Sequence, residues 1–423
     1  MLDVVIVGGG AAGFFAAIHV AEAIPDLKIT ILERGKEVLT KVKVSGGGRC
    51  NVTHAEFNPK ELVSNYPRGE KELLGPFHSF ASGDTIGFFE KRGIALKIEE
   101  DGRMFPTSNS SQTIIDCFTS EAKRLGVKIE LLSPVTAMEH TSEEGNDFWK
   151  ITTSKQTFKT KKVLLATGSN PKIWNMLQML GHSIIPPVPS LFTFNIKDER
   201  IANIPGLSTY AEVAVLDKKK TLRSYQNTAV QKSVLFSDGP LLITHWGLSG
   251  PAVLKLSAWG ARILETYGYQ FKISVNWVPE NHPDGLMELF AKVKQVEKKT
   301  ILRTKVLDIP KRLWVNLVRA SGIDDSLTWP QASKSQLQQL TEQLTRSLFY
   351  VNGKSTFKEE FVTAGGVDLK EVNFKTFESK VLPDMYFAGE ILNIDAITGG
   401  FNFQNAWTGG FLAAQGILNS MEE

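Results

Sequence analysis

Cysteine is almost absent from this 423-residue sequence: Cys50 and Cys117 stand far apart, outside any C-x-x-C spacing. That excludes a disulfide framework or a cysteine zinc site and suits a reducing compartment. Long apolar runs are also missing. No stretch approaches the roughly 18 to 20 uninterrupted apolar residues of a membrane-spanning helix, and the N-terminus lacks the basic and hydrophobic regions of a signal peptide. The expectation is a soluble, cytoplasmic protein with no membrane partner. Excess charge is lacking too, with 48 Lys and Arg against 45 Asp and Glu, a formal +3. A total so close to neutral predicts no nucleic-acid partner, and the runs Lys218-Lys219-Lys220 and Lys298-Lys299 read as solvated. His19, His54, His78, His140, His182 and His282 show no ligand spacing, so no metal is expected. Internal repeats and low-complexity segments are absent.

What is present is a large apolar fraction, 42%, in a chain long enough for two or three cooperating domains. Val4 to Val7 is a short β-branched run that suits a strand buried on both faces. Ala11 to Ala23 reads as a helix ending before Pro25, and Lys28 to Leu32 resumes a strand pattern. The chain therefore opens on a βαβ unit. Further on, Ser111 to Leu125 reads as helix, with strands near Val127 to Leu132 and Val163 to Ala166. The texture changes at Pro186-Pro187-Val188-Pro189. Short alternating runs such as Tyr210 to Val215 and Ser233 to Phe236 predict a β-rich segment. Helical periodicity then dominates from Gly250 to about Leu264 and from Asp284 to Leu348, around a strand at Phe271 to Val278.

Gly8-Gly9-Gly10-Ala11-Ala12-Gly13 places G-x-G-x-x-G between strand and helix, where the pattern is informative. Gly8 permits the tight turn, Gly10 lets the backbone approach a pyrophosphate, and Gly13 lets helix and strand pack closely. The helix N-terminus offers free N–H groups to phosphate. Glu33 ends the second strand, where its carboxylate can accept from ribose hydroxyls. These features predict a bound dinucleotide. No second such motif follows a strand, so a permanent nicotinamide domain is not expected and NAD(P)H would visit transiently.

Two further segments point to flavin. Lys41, Lys43 and the run Ser45-Gly46-Gly47-Gly48-Arg49-Cys50-Asn51 read as a loop whose backbone lies against a flat or anionic ligand, with a flexible surface loop as the alternative. Arg49 can contact phosphate or ribityl oxygens, and Asn51 can meet a ring edge. Near the C-terminus, Met385 to Glu390 is a strand ending in Gly389-Glu390, followed by Asp395 and Thr398-Gly399-Gly400-Phe401-Asn402-Phe403-Gln404.

These segments, together with Ala166-Thr167-Gly168, Thr244-His245-Trp246-Gly247-Leu248-Ser249-Gly250-Pro251 and Thr363-Ala364-Gly365-Gly366-Val367, resemble the bacterial NAD(P)/FAD-dependent oxidoreductases that include BaiN-like and YhiN-like proteins and aminoacetone oxidases. The resemblance spans almost the whole chain. It implies an α/β fold: a Rossmann-like FAD-binding domain built from both chain ends (1–188 and 354–423), a β-barrel-like subdomain (189–249 and 348–353) and a helical subdomain (250–347). Ser169 and Phe401 depart from the family pattern, which often has glycine and tyrosine there. The residues assigned to FAD are Gly8, Gly10, Ala11, Ala12, Gly13, Glu33, Arg34, Lys41, Ser45, Gly46, Gly47, Arg49, Cys50, Asn51, Val135, Ala166, Thr167, Gly168, Gly389, Glu390, Asp395, Gly399, Gly400, Phe401, Asn402 and Phe403.

A flavin carries its own redox chemistry, so the protein's part is to position a substrate and exclude water. His245 is the candidate substrate-side acid or base, because histidine titrates near neutral pH. Cys50 beside Arg49 could hold a reactive thiolate, although packing against the cofactor is the favoured role; Cys117 reads as core. The expected function is hydride transfer between flavin and a small organic substrate, with NAD(P)H or O₂ as second partner. Reduction of an activated double bond and oxidation of a small amine both fit. A flavoprotein acting on RNA and a flavin-binding sensor without turnover are the alternatives.

Overall fold

The computed structural model describes residues 1–216, 235–355 and 362–422. The Lys218-Lys219-Lys220 run and the first residues of the expected Ser233 to Phe236 strand lie outside these. Two compact units emerge, Met1–Pro189 with Lys358–Glu423, and Ser190–Phe357.

The first unit is wound around a parallel sheet. Leu2–Val7 lies between Ile29–Leu32 and Thr157–Leu165, with Lys128–Glu130 beyond the former and Met385–Phe387 beyond the latter, all parallel to their neighbours. Val4, Val5 and Ile6 are wholly buried, because a parallel strand is covered on both faces and needs apolar side chains on each. Helix Ala11–Ala23 buries most of its circumference, and Ala12 and Phe15 meet the last helix, Phe401–Glu422, at Gly410. An antiparallel hairpin, Val135–Glu143 with Asn146–Thr153, feeds into the strand Thr157–Leu165. The proline-rich segment at which the sequence texture changes is a strand, Ile184–Ser190, paired among the described residues with Val362–Val367. With no second ladder partner for this strand among the described residues, prolines there cost little.

The second unit holds a seven-stranded sheet in the order Ser347–Asn352, Gln270–Asn276, Ser208–Leu216, Phe236–Ile243, Gly247–Ser249, Thr193–Asn195, Lys354–Ser355. Its two terminal strands are joined through Gly353, so the sheet curls back on itself. Helices Pro283–Val296, Lys311–Ala320 and Lys334–Thr345 share one apolar core with it, in which Leu286, Phe290, Trp314 and Leu340 join Val213, Ile273 and Phe349. The segments read from sequence as barrel-like and helical thus share a single core. Trp277 Nε1 donates to Ser347 Oγ at 3.0 Å and Trp314 Nε1 to the Ile301 carbonyl at 3.0 Å, which satisfies both buried indoles.

A buried histidine ties the returning C-terminal segment to the first unit. His182 Nδ1 lies 2.8 Å from Glu371 Oε2, and its Nε2 lies 3.0 Å from Ser379 Oγ. Ser379 Oγ already accepts from the N–H groups of Val381 and Leu382, so its own proton goes to Nε2, and Nδ1–H donates to the carboxylate. Replacing His182 with alanine strands a buried hydroxyl and opens a cavity. The expected loss is about 2–4 kcal/mol in urea unfolding, and an unchanged midpoint would show that the cluster carries no stability.

Candidate cofactor site

The first turn owes its shape to how closely backbones approach one another. A Cβ on Gly8, at φ +116°, would stand 2.3 Å from the Ala166 carbonyl oxygen, and one on Gly13 would stand 2.1 Å from the Gly8 carbonyl oxygen. Both positions must therefore be glycine. Gly10 differs: a Cβ there would meet nothing within 4 Å, so the space above it is open. Helix Ala11–Ala23 begins at Gly10 with no side-chain cap and no acidic residue in its first turn. Its leading N–H groups and the positive end of its dipole face that space, an arrangement that favours an anion.

Glu33 is half-buried beside this turn. One of its oxygens accepts from the Gly9 N–H at 2.9 Å and the other from the Gly35 N–H at 2.7 Å. Each oxygen keeps lone-pair capacity for a further donor. Gly8, Glu33, Arg34, Val135, Thr167 and Lys172 line a cavity of about 140 Å³. Five of the residues assigned from sequence thus meet in one cavity, although Arg34 and Val135 are distant from one another in the chain.

The segments expected at the flavin end converge on Asn51. Thr40–Gly48 is a helical stretch whose backbone leaves helical angles at Ser45, Gly46 and Gly47. Where a loop was expected, the chain therefore runs out of a short helix into a glycine turn. A Cβ on Gly46 would lie 3.0 Å from the Asn51 nitrogen; one on Gly400 would lie 2.6 Å from the Thr53 carbonyl oxygen and 3.0 Å from Asn51 Oδ1. Asn51 Oδ1 is buried and has no hydrogen-bond partner. A buried acceptor left unpaired is costly, and a donor on a bound ligand would satisfy it.

The start of the last helix is fastened beside this point. Trp407 Nε1 donates to the Val52 carbonyl at 2.8 Å, Tyr66 Oη to the Phe401 carbonyl at 2.5 Å, and Thr53 Oγ1 to Gln404 Oε1 at 2.6 Å. Asn402 bonds both backbone groups of Ala396, which holds the Gly399-Gly400 turn in place. Lys41 Nζ meets Glu390 Oε2 at 2.5 Å. Gly389 packs against Ala12, and Gly168 stands beside Glu390. These features fit FAD: an uncapped helix N-terminus for pyrophosphate, a carboxylate for ribose, and an unpaired acceptor at the far end.

Other assigned side chains have partners within the protein. The Arg49 guanidinium pairs with Glu99 at 2.6 Å and lies 3.9 Å above the Phe105 ring. Asp395 is fully buried in an ion pair with Arg68. Phe401 stacks on His54, and Phe403 lies parallel to Trp407 with ring centroids 5.5 Å apart. The reactive-thiolate reading of Cys50 is corrected: burial pushes its thiol up to about 12, against a smaller lowering by a Ser45 hydrogen bond. Cys117 is only half-buried rather than core, and burial raises its thiol to about 11. His245 lies in the Ser190–Phe357 unit, exposed on the turn between strands Phe236–Ile243 and Gly247–Ser249. Arg68, Thr53 and Tyr66 belong to no motif in the sequence, because their partners Asp395, Gln404 and Phe401 lie more than 300 residues away.

A family model for the HI0933-like protein Rossmann domain matches residues 2–416. The chain is 29% identical over 424 residues to a ribosomal RNA dihydrouridine synthase of Haemophilus influenzae, covering 98% of each chain. It is 28% identical over 420 residues to a 3-dehydro-bile acid delta(4,6)-reductase of Clostridium scindens, covering 97% of each. Among solved structures, a 3-ketosteroid delta1-dehydrogenase from Sterolibacterium denitrificans aligns over 99% of both chains with a TM-score of 0.50 and 12% identity, a likeness of fold alone. No helix among the described residues is long and apolar enough to cross a membrane.

Glu33→Arg removes the carboxylate and its two backbone bonds. FAD retained through gel filtration should fall about tenfold or more, and unchanged occupancy would contradict the ribose contact. With burial pushing its thiol up to about 12, Cys50 stays protonated at pH 8. Folded protein should therefore resist thiol reagents at this position until it is denatured; rapid native labelling of Cys50 would restore a reactive role.

Proposed function

The chain belongs to the HI0933-like Rossmann-domain family of FAD-dependent oxidoreductases, and on that premise we propose that it reduces a carbon–carbon double bond conjugated to a carbonyl. One observation carries this reading. Two relatives matched over nearly their whole lengths are named for the same bond chemistry, since dihydrouridine is uridine saturated next to a ring carbonyl and the bile-acid reductase saturates bonds conjugated to a 3-keto group. FAD, when bound, supplies the hydride acceptor and donor.

The protein's own groups hold and orient it. The N–H groups of Ala11 and Ala12 and the open space over Gly10 would take the pyrophosphate, and Glu33 the ribose, with Val135 in the wall of the same cavity. Glu390, held by Lys41, would accept from ribityl hydroxyls. Asn51 and the Gly399-Gly400 turn would meet the ring. His245 is the proposed proton donor to the substrate. NAD(P)H is the proposed transient electron donor, and oxidation of an amine by O₂ is the competing chemistry.

A second reading makes the substrate a uracil within RNA. The total charge hides a division: residues 190–357 hold 22 Lys and Arg against 14 Asp and Glu, a net of +8, whereas the remainder holds 26 against 31, a net of −5. Such segregation supports a polyanionic partner for the basic unit.

The test is flavin-loaded enzyme given NADPH with either transcribed ribosomal RNA or a small cyclic enone. Appearance of dihydrouridine in digested RNA, or of the saturated ketone, with matching NADPH consumption supports the reductase. Failure with both, together with oxygen-dependent oxidation of small amines, would overturn it.

A further inference from the structure

The second unit carries an exposed turn, Thr244 to Gly247, that closes the hairpin between strands Phe236–Ile243 and Gly247–Ser249. Thr244 Oγ1 accepts from the N–H groups of Trp246 and Gly247, both at 3.2 Å, closing the turn. Gly247, at φ +144°, is pressed against the neighbouring strand so closely that a Cβ would stand 2.2 Å from the Phe194 carbonyl oxygen and 2.6 Å from the Ile196 nitrogen. The Ile196 N–H donates to the Trp246 carbonyl at 2.9 Å. The turn is thus fastened along both sides. Yet it holds His245 in solvent and Trp246 at 61% exposure, the most exposed tryptophan among the described residues.

A tryptophan held out on a clamped backbone loses little conformational freedom on binding and offers a large flat face. Beside it opens a cavity of about 380 Å³, lined by Ile196, Lys197, Asp198, Glu199, Thr244 and His245 among others. Asp198 is neutralised by Arg200, with contacts of 2.8 and 2.7 Å. Lys197 is exposed and forms no ion pair with a described residue. Glu199, on the same wall, is exposed to solvent and offsets Lys197 in the local balance, within a unit that carries a net of +8.

We propose that this cleft is a recognition subsite for a nucleotide of single-stranded RNA, with the base stacked on Trp246 and the adjoining phosphate drawn to Lys197. The proposal rests on the RNA reading above and deepens it. Stacking on an aromatic face tolerates any base, while a nearby lysine supplies the salt-dependent attraction to phosphate. Glu199 sets a limit on how much anionic charge the cleft accepts, which favours one bridging phosphate over a terminal one carrying extra charge.

The experiment is fluorescence anisotropy of a labelled oligouridine on the full-length, flavin-loaded protein across a salt series. Trp246→Ala should weaken binding about five- to a hundredfold, and Trp246→Phe should recover most of the loss. Lys197→Ala should reduce the slope of log affinity against log salt by about 0.7, with FAD content and thermal midpoint unchanged in all variants. Wild-type affinity and slope in both alanine variants would overturn the subsite. So would a Trp246→Ala protein that binds RNA normally but is reduced slowly by NADPH, since the cleft would then serve the nicotinamide dinucleotide. If the unaltered protein binds no oligouridine, the RNA reading falls with the subsite, while reduction of the small enone still decides the reductase reading independently.

Discussion

Three stretches of backbone meet at Gly8, and the arrangement of the cofactor site follows from their contact. The first strand ends there, the first helix crosses directly above it at Gly13, and the strand from Thr157 to Leu165 arrives alongside through Ala166. Because no side chain intervenes, the helix axis points its unbonded N–H groups at a fixed place relative to Glu33. A single methyl group at either glycine would force the three apart, and the anion-facing helix end would lose its aim. Everything farther along, including Gly389 against Ala12, is registered on this junction.

The local parts of this design were legible in the sequence. The strand Val4 to Val7, helix Ala11–Ala23 and the glycines between them obey short-range rules of periodicity and sterics, and their roles can be read from spacing alone. Glu33 and Val135 share a cavity because the segment after strand Lys128–Glu130 bonds back to the Glu33 turn, with the Ser133 N–H donating to the Glu33 carbonyl at 2.8 Å just before the hairpin begins at Val135. What spacing could not reveal was which polar side chains would already be occupied. Arg49 has the chemistry to bind phosphate, yet Glu99 and Phe105 hold it; Asp395 has the chemistry of a ligand, yet Arg68 takes it. Those partners come from segments with no motif of their own. Burial was equally invisible at Cys50, where a neighbouring arginine suggested an acidic thiol and enclosure makes it the reverse.

The charge count reads differently by unit than by chain: a near-neutral total, from which no polyanionic partner is expected, averages a basic unit with an acidic one. Electrostatic attraction acts over about 8–10 Å at physiological salt, so a partner responds to the local balance and not to the total. The division of the chain into units, visible only from tertiary contacts, is what gives the charge count physical meaning.

The candidate site joins Asn51 to Gly400 and Val52 to Trp407, residues separated by more than 300 positions in the chain. On the ribosome, the first βαβ unit emerges long before the helix that completes its far wall, and the Ser190–Phe357 unit is translated in between. The half-site exposed during that interval offers phosphate a helix end but offers a flavin ring no second wall. On the proposed placement of FAD, capture of the whole cofactor waits for the Gly399-Gly400 segment, and FAD can then act as a clasp between segments more than 300 residues apart in the chain.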